Sequence, residues 1–515
     1  MKHAVDSEIR GVFANFVVLA SSKVAVMVLG MLGIMVTIWF LGPSKYGALS
    51  LLVGLVQLLY LASFGWLANS VVRFGREEAA SSGIMNRMFW SRALMGTACL
   101  IVVSAAVIVA RRPIAGYISI PENDFILIFS YLAVFILADY GNYLLQAMGR
   151  MKSYAFSAVL ERGCYLGFLL IVFLLRPGQH ILEMVLGLMI VSKMAQAAYA
   201  FFSMDRGVLT PFVVDKTMLK QMALYSLPVL ALFPAAYFSE WGDLWVVKFY
   251  LPLSAVGVYQ TAYQALLSLT QVYMVITVLL FPLITSLRAG GRDEAVRTFL
   301  VKVAPQMVFV WSILLSFVVF FGDYIFALLF GPEFHAGSKA ILVLIATSAF
   351  VGVSGVYSAI HTSYDLLHWS MGLGMVTAVL NIILDFSLIP VFGVTGAAFA
   401  TLIAYLVNAS GYMLIGNRRL GVKASSAVLA MAPAFLVMAI SLSVSNFLLR
   451  TILFVIIIEL CVIVVRRLRL FKTADLSFFD KIQKPQIIQN ALVGIYTWLE
   501  GPGVETIVTE NRNEK

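Results

Sequence analysis

Apolar residues fall in runs of about 20 along almost the whole chain of 515 residues, and each run is long enough to cross a bilayer as a helix. The runs predict about fourteen spans, at roughly 15–41, 46–72, 88–110, 125–148, 154–175, 181–203, 222–248, 253–286, 303–322, 339–362, 368–390, 394–416, 427–447 and 449–465. Short turn-forming stretches separate them. The expected fold class is therefore an all-α polytopic membrane protein. Against this background the polar positions stand out, above all in Leu380 to Tyr405. There Asn381 and Asp385 lie four residues apart on one helix face. A break at Pro390 and Gly393 follows, then Gly396, Ala397, Ala398 and Ala400, small residues that let a neighbouring helix come close, and then Thr401. An ionised Asp near the bilayer centre costs roughly 2.5–3.5 kcal/mol, so Asp385 must face protein or water and find a partner.

Composition agrees with this reading: 61% of residues are hydrophobic, 12% are charged, and the mean hydropathy is +0.94. A net charge of +10 would suggest nucleic acid as a partner of a soluble protein, but here it is placed in loops. One set of alternate connections carries 21 Lys and Arg, the other 7. The positive-inside rule then puts both termini in the cytoplasm, and an odd number of spans would scramble the separation. Phe16 to Leu41 is longer than a signal-peptide core and lacks a following small-residue cleavage site, so it is expected to stay in the mature chain. Cys99, Cys164 and Cys461 fall inside spans with no pairing or metal spacing and read as inert.

Trp39 to Ser50 aligns with Phe249 to Gln260 at an offset of 210, with Gly47 over Gly257. Both copies join the first two helices of an expected six-helix unit, which gives two units of equal orientation. The expected division is 1–210 for the first lobe, 211–423 for the second, 424–470 for two further helices and 471–515 for a cytosolic tail. In the tail, Ile487 to Leu499 reads either as a surface helix or as loosely ordered chain.

Charged residues inside the spans are the candidates for chemistry. Lys23, Arg92, Arg162 and Lys193 belong to the first lobe, and Arg73 lies near a cytoplasmic end. Facing inward they would form a cationic cavity suited to a phosphate headgroup, although Arg73, Arg76 and Arg92 also fit interfacial anchors. Glu161 and Arg162, being sequence neighbours, are each expected to need their own partner. In the second lobe Asp243, Asn381, Asp385 and Thr401 offer oxygen donors for Na⁺, or carboxylates for H⁺; the same residues also serve as helix-to-helix polar glue. Span 8 adds Tyr259, Tyr263 and Gln264, an aromatic and amide lining able to meet a sugar. The chain lacks a phosphate-binding loop, a nucleophile elbow and a metal-ligand spacing, so catalysis is not expected.

With these motifs in hand, the chain resembles the oligosaccharidyl-lipid and polysaccharide flippases of the multidrug/oligosaccharidyl-lipid/polysaccharide superfamily. The resembling stretches are Leu41 to Gly47, Ser63 to Phe74, Asp243 to Tyr259, Leu329 to Phe334, and above all Asn381 to Asp385 followed by Pro390 to Thr401. The resemblance implies two six-helix lobes in a V around a cavity, alternating access, and a lipid-linked (undecaprenyl-pyrophosphate) glycan as cargo in a bacterial cytoplasmic membrane. It also implies membrane lipids and the polysaccharide polymerase or export machinery as partners, with no nucleic acid. In the lipid II flippase branch a sodium site lies in the second lobe; Asp243, Asn381, Asp385 and Thr401 match its side chains, with Ala397 at its carbonyl position. No cofactor is implied beyond Na⁺ or H⁺ as the coupling ion. Span 8 lacks the arginine of the lipid II branch, which favours an O-unit or exopolysaccharide flippase. Alternatives are a lipid II flippase, a multidrug/cation antiporter of the same fold and, less readily, a membrane glycan polymerase.

Overall fold

The computed structural model describes residues 2–175, 180–204, 210–422 and 427–472, with 493, 494, 496, 497, 499 and 500; for residues 2–20, 275, 276, 278 and 279 it describes the backbone alone. Most of the Ile487 to Leu499 segment lies outside these residues, as do Arg176, Arg206 and Lys423 of the loop charges.

Among the described residues every regular element is helical. The first, α1 (Lys2–Ser63), carries two spans across a kink, because Gly42 takes a left-handed φ of 67° and Pro43 follows with no amide hydrogen to give. The first lobe continues with α2 (Ala68–Ser82), α3 (Asn86–Val109), the short α4 (Arg111–Ile118), α5 (Phe125–Ala147), α6 (Met151–Leu175) and α7 (Ile181–Phe202). Next come α8 (Lys216–Tyr250), α9 (Leu253–Ala289) and the short α10 (Asp293–Thr298). A π-helical turn at Phe299–Val303 leads into α11 (Ala304–Phe330), followed by α12 (Ser338–Ser363), α13 (Leu367–Phe392) and α14 (Val394–Leu420). The short α15 (Ala427–Ala430), α16 (Ala432–Ser443) and α17 (Phe447–Arg467) complete the series. Eleven described segments are long and apolar enough to cross a membrane. The first of them holds both limbs of α1, and α9 and the α15–α16 pair supply the rest of the expected fourteen.

The chain divides into two compact units. The first takes Met1–Gln264, Phe330–Gly337 and Gly374–Ala400; the second takes Ala265–Leu329, Ser338–Leu373 and Thr401–Lys515. In the first unit α1 packs along α6, and α5 packs on α7. One apolar core there joins Val71 and Phe74 of α2, Met88 and Phe89 of α3, Tyr140 and Leu144 of α5, and Met222 of α8. The sequence repeat reappears here as a contact. A Cβ on Gly47 would run into the Leu253 carbonyl, and one on Gly257 would run into the Pro43 carbonyl. Pro43 and Leu253 are themselves a repeat pair at the same offset. The two copies thus meet reciprocally, backbone on backbone, and only glycine leaves the room. A similar approach closes the turn from α13 to α14, where Gly393 has a φ of 60° and Gly396 abuts the Leu388 carbonyl.

In the second unit α12 is buried along most of its length. There too α17 is fastened to α11 by Arg450, 1% exposed, which holds both oxygens of Asp323 at 2.7 and 3.0 Å. It also donates to the carbonyls of Val319 and Phe320. Arg450, one of the 7 cations on the less basic side of the chain, is thus a buried ion-pair partner.

Candidate functional site

Three helices of the first unit converge on a small acidic cluster. On α13 the i, i+4 spacing puts Asn381 and Asp385 on one face, and both are buried, Asp385 completely. On α8 Asp243 is 6% exposed. The aromatic contacts of Phe249 and Tyr250 with Phe386, at 6.2 and 6.1 Å, hold α8 against α13. The Asn381 amide bridges the two acids: its Nδ2 donates to Asp243 Oδ1 and, at 3.1 Å, to Asp385 Oδ2. Tyr259 of α9 donates its hydroxyl to the other oxygen of Asp243. Asp385 Oδ1 is buried with no hydrogen-bond partner. Ala397 and Thr401 are both buried one helical turn apart on α14, Thr401 at the start of the second unit's share of that helix.

Two buried carboxylates that share one amide donor call for positive charge, as a proton or a cation, to offset their burial. The donors are carboxylate and amide oxygens, the hard ligands that Na⁺ prefers, and the orphaned Asp385 Oδ1 is an acceptor in want of a partner. Among the described residues no group of three or more His, Cys, Asp and Glu could hold a metal.

The cations of the first lobe form a second polar region. Arg92 of α3 is fully buried rather than anchored at an interface. Its guanidinium lies 3.7 Å from Asp139 of α5 and 4.3 Å from the centre of the Tyr140 ring, while its Nε and Nη1 have no hydrogen-bond partner. Tyr60 donates its hydroxyl to the same Asp139 carboxylate. Lys193 of α7 approaches Glu161 of α6 at 3.6 Å, bonds Gln196 at 3.0 Å and lies over Phe135. Arg162 meets Glu161 at 3.2 Å. The expectation that Glu161 and Arg162 need separate partners is thereby corrected: adjacent long side chains fold back to pair, and Lys193 shares the same acid.

Of the remaining candidates, Lys23 and Arg73 stand apart from both regions, and Tyr263 adjoins the acidic cluster through Tyr259. Lys23 is exposed on α1. Its neighbours Ser21 and Ser22, with Lys152, Ser153, Phe156 and Tyr199, line a cleft of about 630 Å³ between α1, α6 and α7. Arg73 is exposed, paired with Glu77 at 3.1 Å and lying 4.8 Å from the Tyr225 ring centre. Tyr263 is buried and stacks on Tyr259 at 5.9 Å; Gln264, beside it, reaches the Tyr46 hydroxyl.

Residues 12–288 match the family described as polysaccharide biosynthesis protein, a stretch that covers more than half of the chain. The chain belongs to that family. Two curated relatives, both from Haloferax volcanii, match over shorter lengths. The probable low-salt glycan biosynthesis flippase Agl15 is 25% identical over 173 residues, covering 33% of this chain and 36% of the relative. The probable flippase AglR is 30% identical over 169 residues, covering 32% and 35%. The matches therefore span about a third of each relative's length. The inward-facing structure of a multidrug resistance MATE family transporter of the MOP superfamily superposes with a TM-score of 0.52 at 15% identity, covering 78% of this chain and 94% of that one. This likeness shows the fold.

Within this member of the polysaccharide biosynthesis protein family, sequence reading singled out the three acidic-cluster residues that meet, and the cations Arg92, Arg162 and Lys193. It missed which acids hold those cations, and it missed Tyr259 as a donor to Asp243. Tyr60 and Asp139 are 79 residues apart, so no local spacing announces their bond. Tyr259 follows Asp243 by 16 residues across a helix break, a distance that no single-helix periodicity reads.

Proposed function

We propose that the chain is a flippase that carries a lipid-linked oligosaccharide, on an undecaprenyl-pyrophosphate carrier, across a bacterial cytoplasmic membrane by alternating access, coupled to Na⁺ or H⁺. Family membership and the flippase names of the relatives support the transport class. The single observation that carries the coupling is Asp385, wholly buried, bridged to Asp243 through Asn381, and left with one unpartnered oxygen. Asp243, Asn381, Asp385 and the region of Ala397 would hold the ion, which when bound supplies positive charge to the two carboxylates. In this reading the ion biases the protein between inward-open and outward-open states by its different affinity for each.

Arg92, Arg162 and Lys193 are the proposed contacts of the pyrophosphate, with Asp139 and Glu161 as resident counter-ions that a phosphate would displace. Exchange of one anion for another at a fixed cation keeps that cation paired through the cycle, and so avoids the cost of a bare buried charge. Lys23, the serine-lined cleft beside it, and Arg73 are proposed to meet the headgroup at the cytoplasmic entrance, with both termini on that side. Tyr263 and Gln264 are proposed to meet the glycan, and the polymerase or export machinery to receive it.

The test is Asp385→Ala in a cell that lacks its own flippase. Loss of surface glycan at normal protein levels is expected; unchanged export would rule out the coupling role.

A further inference from the structure

Tyr259 is 1% exposed and presents one polar atom to the acidic cluster, a hydroxyl that donates to Asp243 Oδ2. Asn381 donates to the other oxygen, so both oxygens of Asp243 are already engaged. A cation entering between Asp243 and Asp385 needs electron density on those same oxygens. An O–H donor and a cation compete for it, because each draws on the negative charge of one carboxylate. The ring of Tyr259 stacks on Tyr263 one turn along α9, with an interplanar angle of 27°. Any turn of the Tyr259 ring is therefore felt by its neighbour. Two residues before Tyr259, Gly257 makes the reciprocal contact with the Pro43–Gly47 segment, so the backbone that bears the hydroxyl is held close.

We propose that Tyr259 is a positioning residue that holds Asp243 when no cation is bound and releases it when a cation binds. Its hydroxyl stands in for the ion by donating to a buried Asp243 oxygen. Cation affinity is then set by the difference between the Asp243–cation contact and the Asp243–Tyr259 bond. Binding is also linked to the Tyr259–Tyr263 stack, since a ligand shifts an equilibrium only by what it changes between the two states. This inference rests on the cation site proposed above.

The experiment uses the purified full-length chain in lipid nanodiscs, titrated with NaCl against choline chloride at constant ionic strength. The readouts are the thermal unfolding midpoint and the fluorescence of tryptophan, Trp241 and Trp245 lying on the helix of Asp243. Tyr259→Phe removes the competing hydroxyl and keeps the ring; its apparent Kd for Na⁺ is expected to fall at least fivefold. Tyr259→Gln returns an N–H donor and is expected to bring the Kd back toward the wild-type value. A Kd unchanged within twofold, or raised, in Tyr259→Phe overturns the inference while leaving the cation site standing. Absence of any Na⁺-dependent shift in the wild type overturns the inference together with the Na⁺ form of the proposed coupling, leaving only H⁺.

A Na⁺-minus-choline infrared difference spectrum of the wild type needs no variant. Release of the hydroxyl predicts a shifted tyrosine C–O band, displaced by isotope labelling of tyrosine, alongside a carboxylate change. A carboxylate change without a tyrosine change counts against the proposal.

Discussion

Asp139 and Asp385 are carboxylates on apolar helices of the same unit, and they are satisfied in different ways. Asp139 faces the Arg92 guanidinium at 3.7 Å and accepts the Tyr60 hydroxyl. Asp385 is more deeply buried, takes one hydrogen bond from a neutral amide at 3.1 Å, and leaves an oxygen unpartnered. The first acid has its counter-charge built into the chain; the second, in the function proposed above, takes a charge that arrives and leaves. Removal of a charge should therefore have opposite consequences for stability in the two places.

The largest effect is expected at Arg92. Arg92→Met leaves Asp139 without its cation, and the loss of one member of such a pair costs about 3 kcal/mol or more. A marked fall in the unfolding midpoint is expected, with most of it regained in the Arg92→Met/Asp139→Leu double variant. Equal stability of wild type and single variant would break the comparison. At Asp385 the sign reverses. Asp385→Asn removes an under-satisfied buried carboxylate, so stability should hold or rise by about 1–3 kcal/mol while export collapses. A variant both less stable and still active would show that the acid is structural glue.

Glu161→Gln should fall between these, since its cations Arg162 and Lys193 are 42% and 16% exposed where Arg92 is wholly buried: a loss of about 1–2 kcal/mol, with tighter binding of a pyrophosphate-bearing lipid because Lys193 and Arg162 lose their resident anion. Weaker binding would mean that Glu161 orients the cations rather than competing for them.

The smallest effect calibrates the rest. Asp215 is the N-cap of α8, accepting from the Thr217 amide at 2.8 Å and the Met218 amide at 3.3 Å. These bonds, the Thr217 amide first, hold its carboxyl below the ordinary range, with Arg87 adding to them. A depressed folded-state value means that the stabilisation is complete above the unfolded-state pKa and is lost as pH falls through the folded-state one. Asp215→Ala should cost about 0.5–1 kcal/mol at neutral pH and nothing in strong acid, where wild type and variant converge.

The helices were legible because a bilayer demands about 20 apolar residues per span, a constraint that each run states locally. The kink at Gly42-Pro43 and the turn at Gly393 were legible for the same reason: the residues that make them are also the ones that interrupt the runs. The acidic cluster was half legible, since Asn381 and Asp385 share a helix face by spacing alone. Its grouping with Asp243 was read from the oxygen donors of the second lobe and strengthened by the resemblance, and its link to Tyr259 required the helices to be placed. The Arg92–Asp139–Tyr60 group was the least legible. Each member is an isolated polar residue in an apolar helix, and a one-dimensional reading does not reveal which of several such residues will meet. The glycine contact lies between these extremes: the offset of 210 pointed to Gly47 and Gly257 as equivalents, and the fold adds that they touch.

The ion pair that fastens α17 also sets a timetable for biosynthesis. Asp323 leaves the ribosome 127 residues ahead of Arg450. At ordinary elongation rates that is a wait of roughly 6–25 s. Until α17 is made, the carboxylate on α11 has no arginine to close on. The docking of α17 on α11 therefore waits for the later-made member of the pair, and α11 must be threaded with its acid before its counter-charge exists.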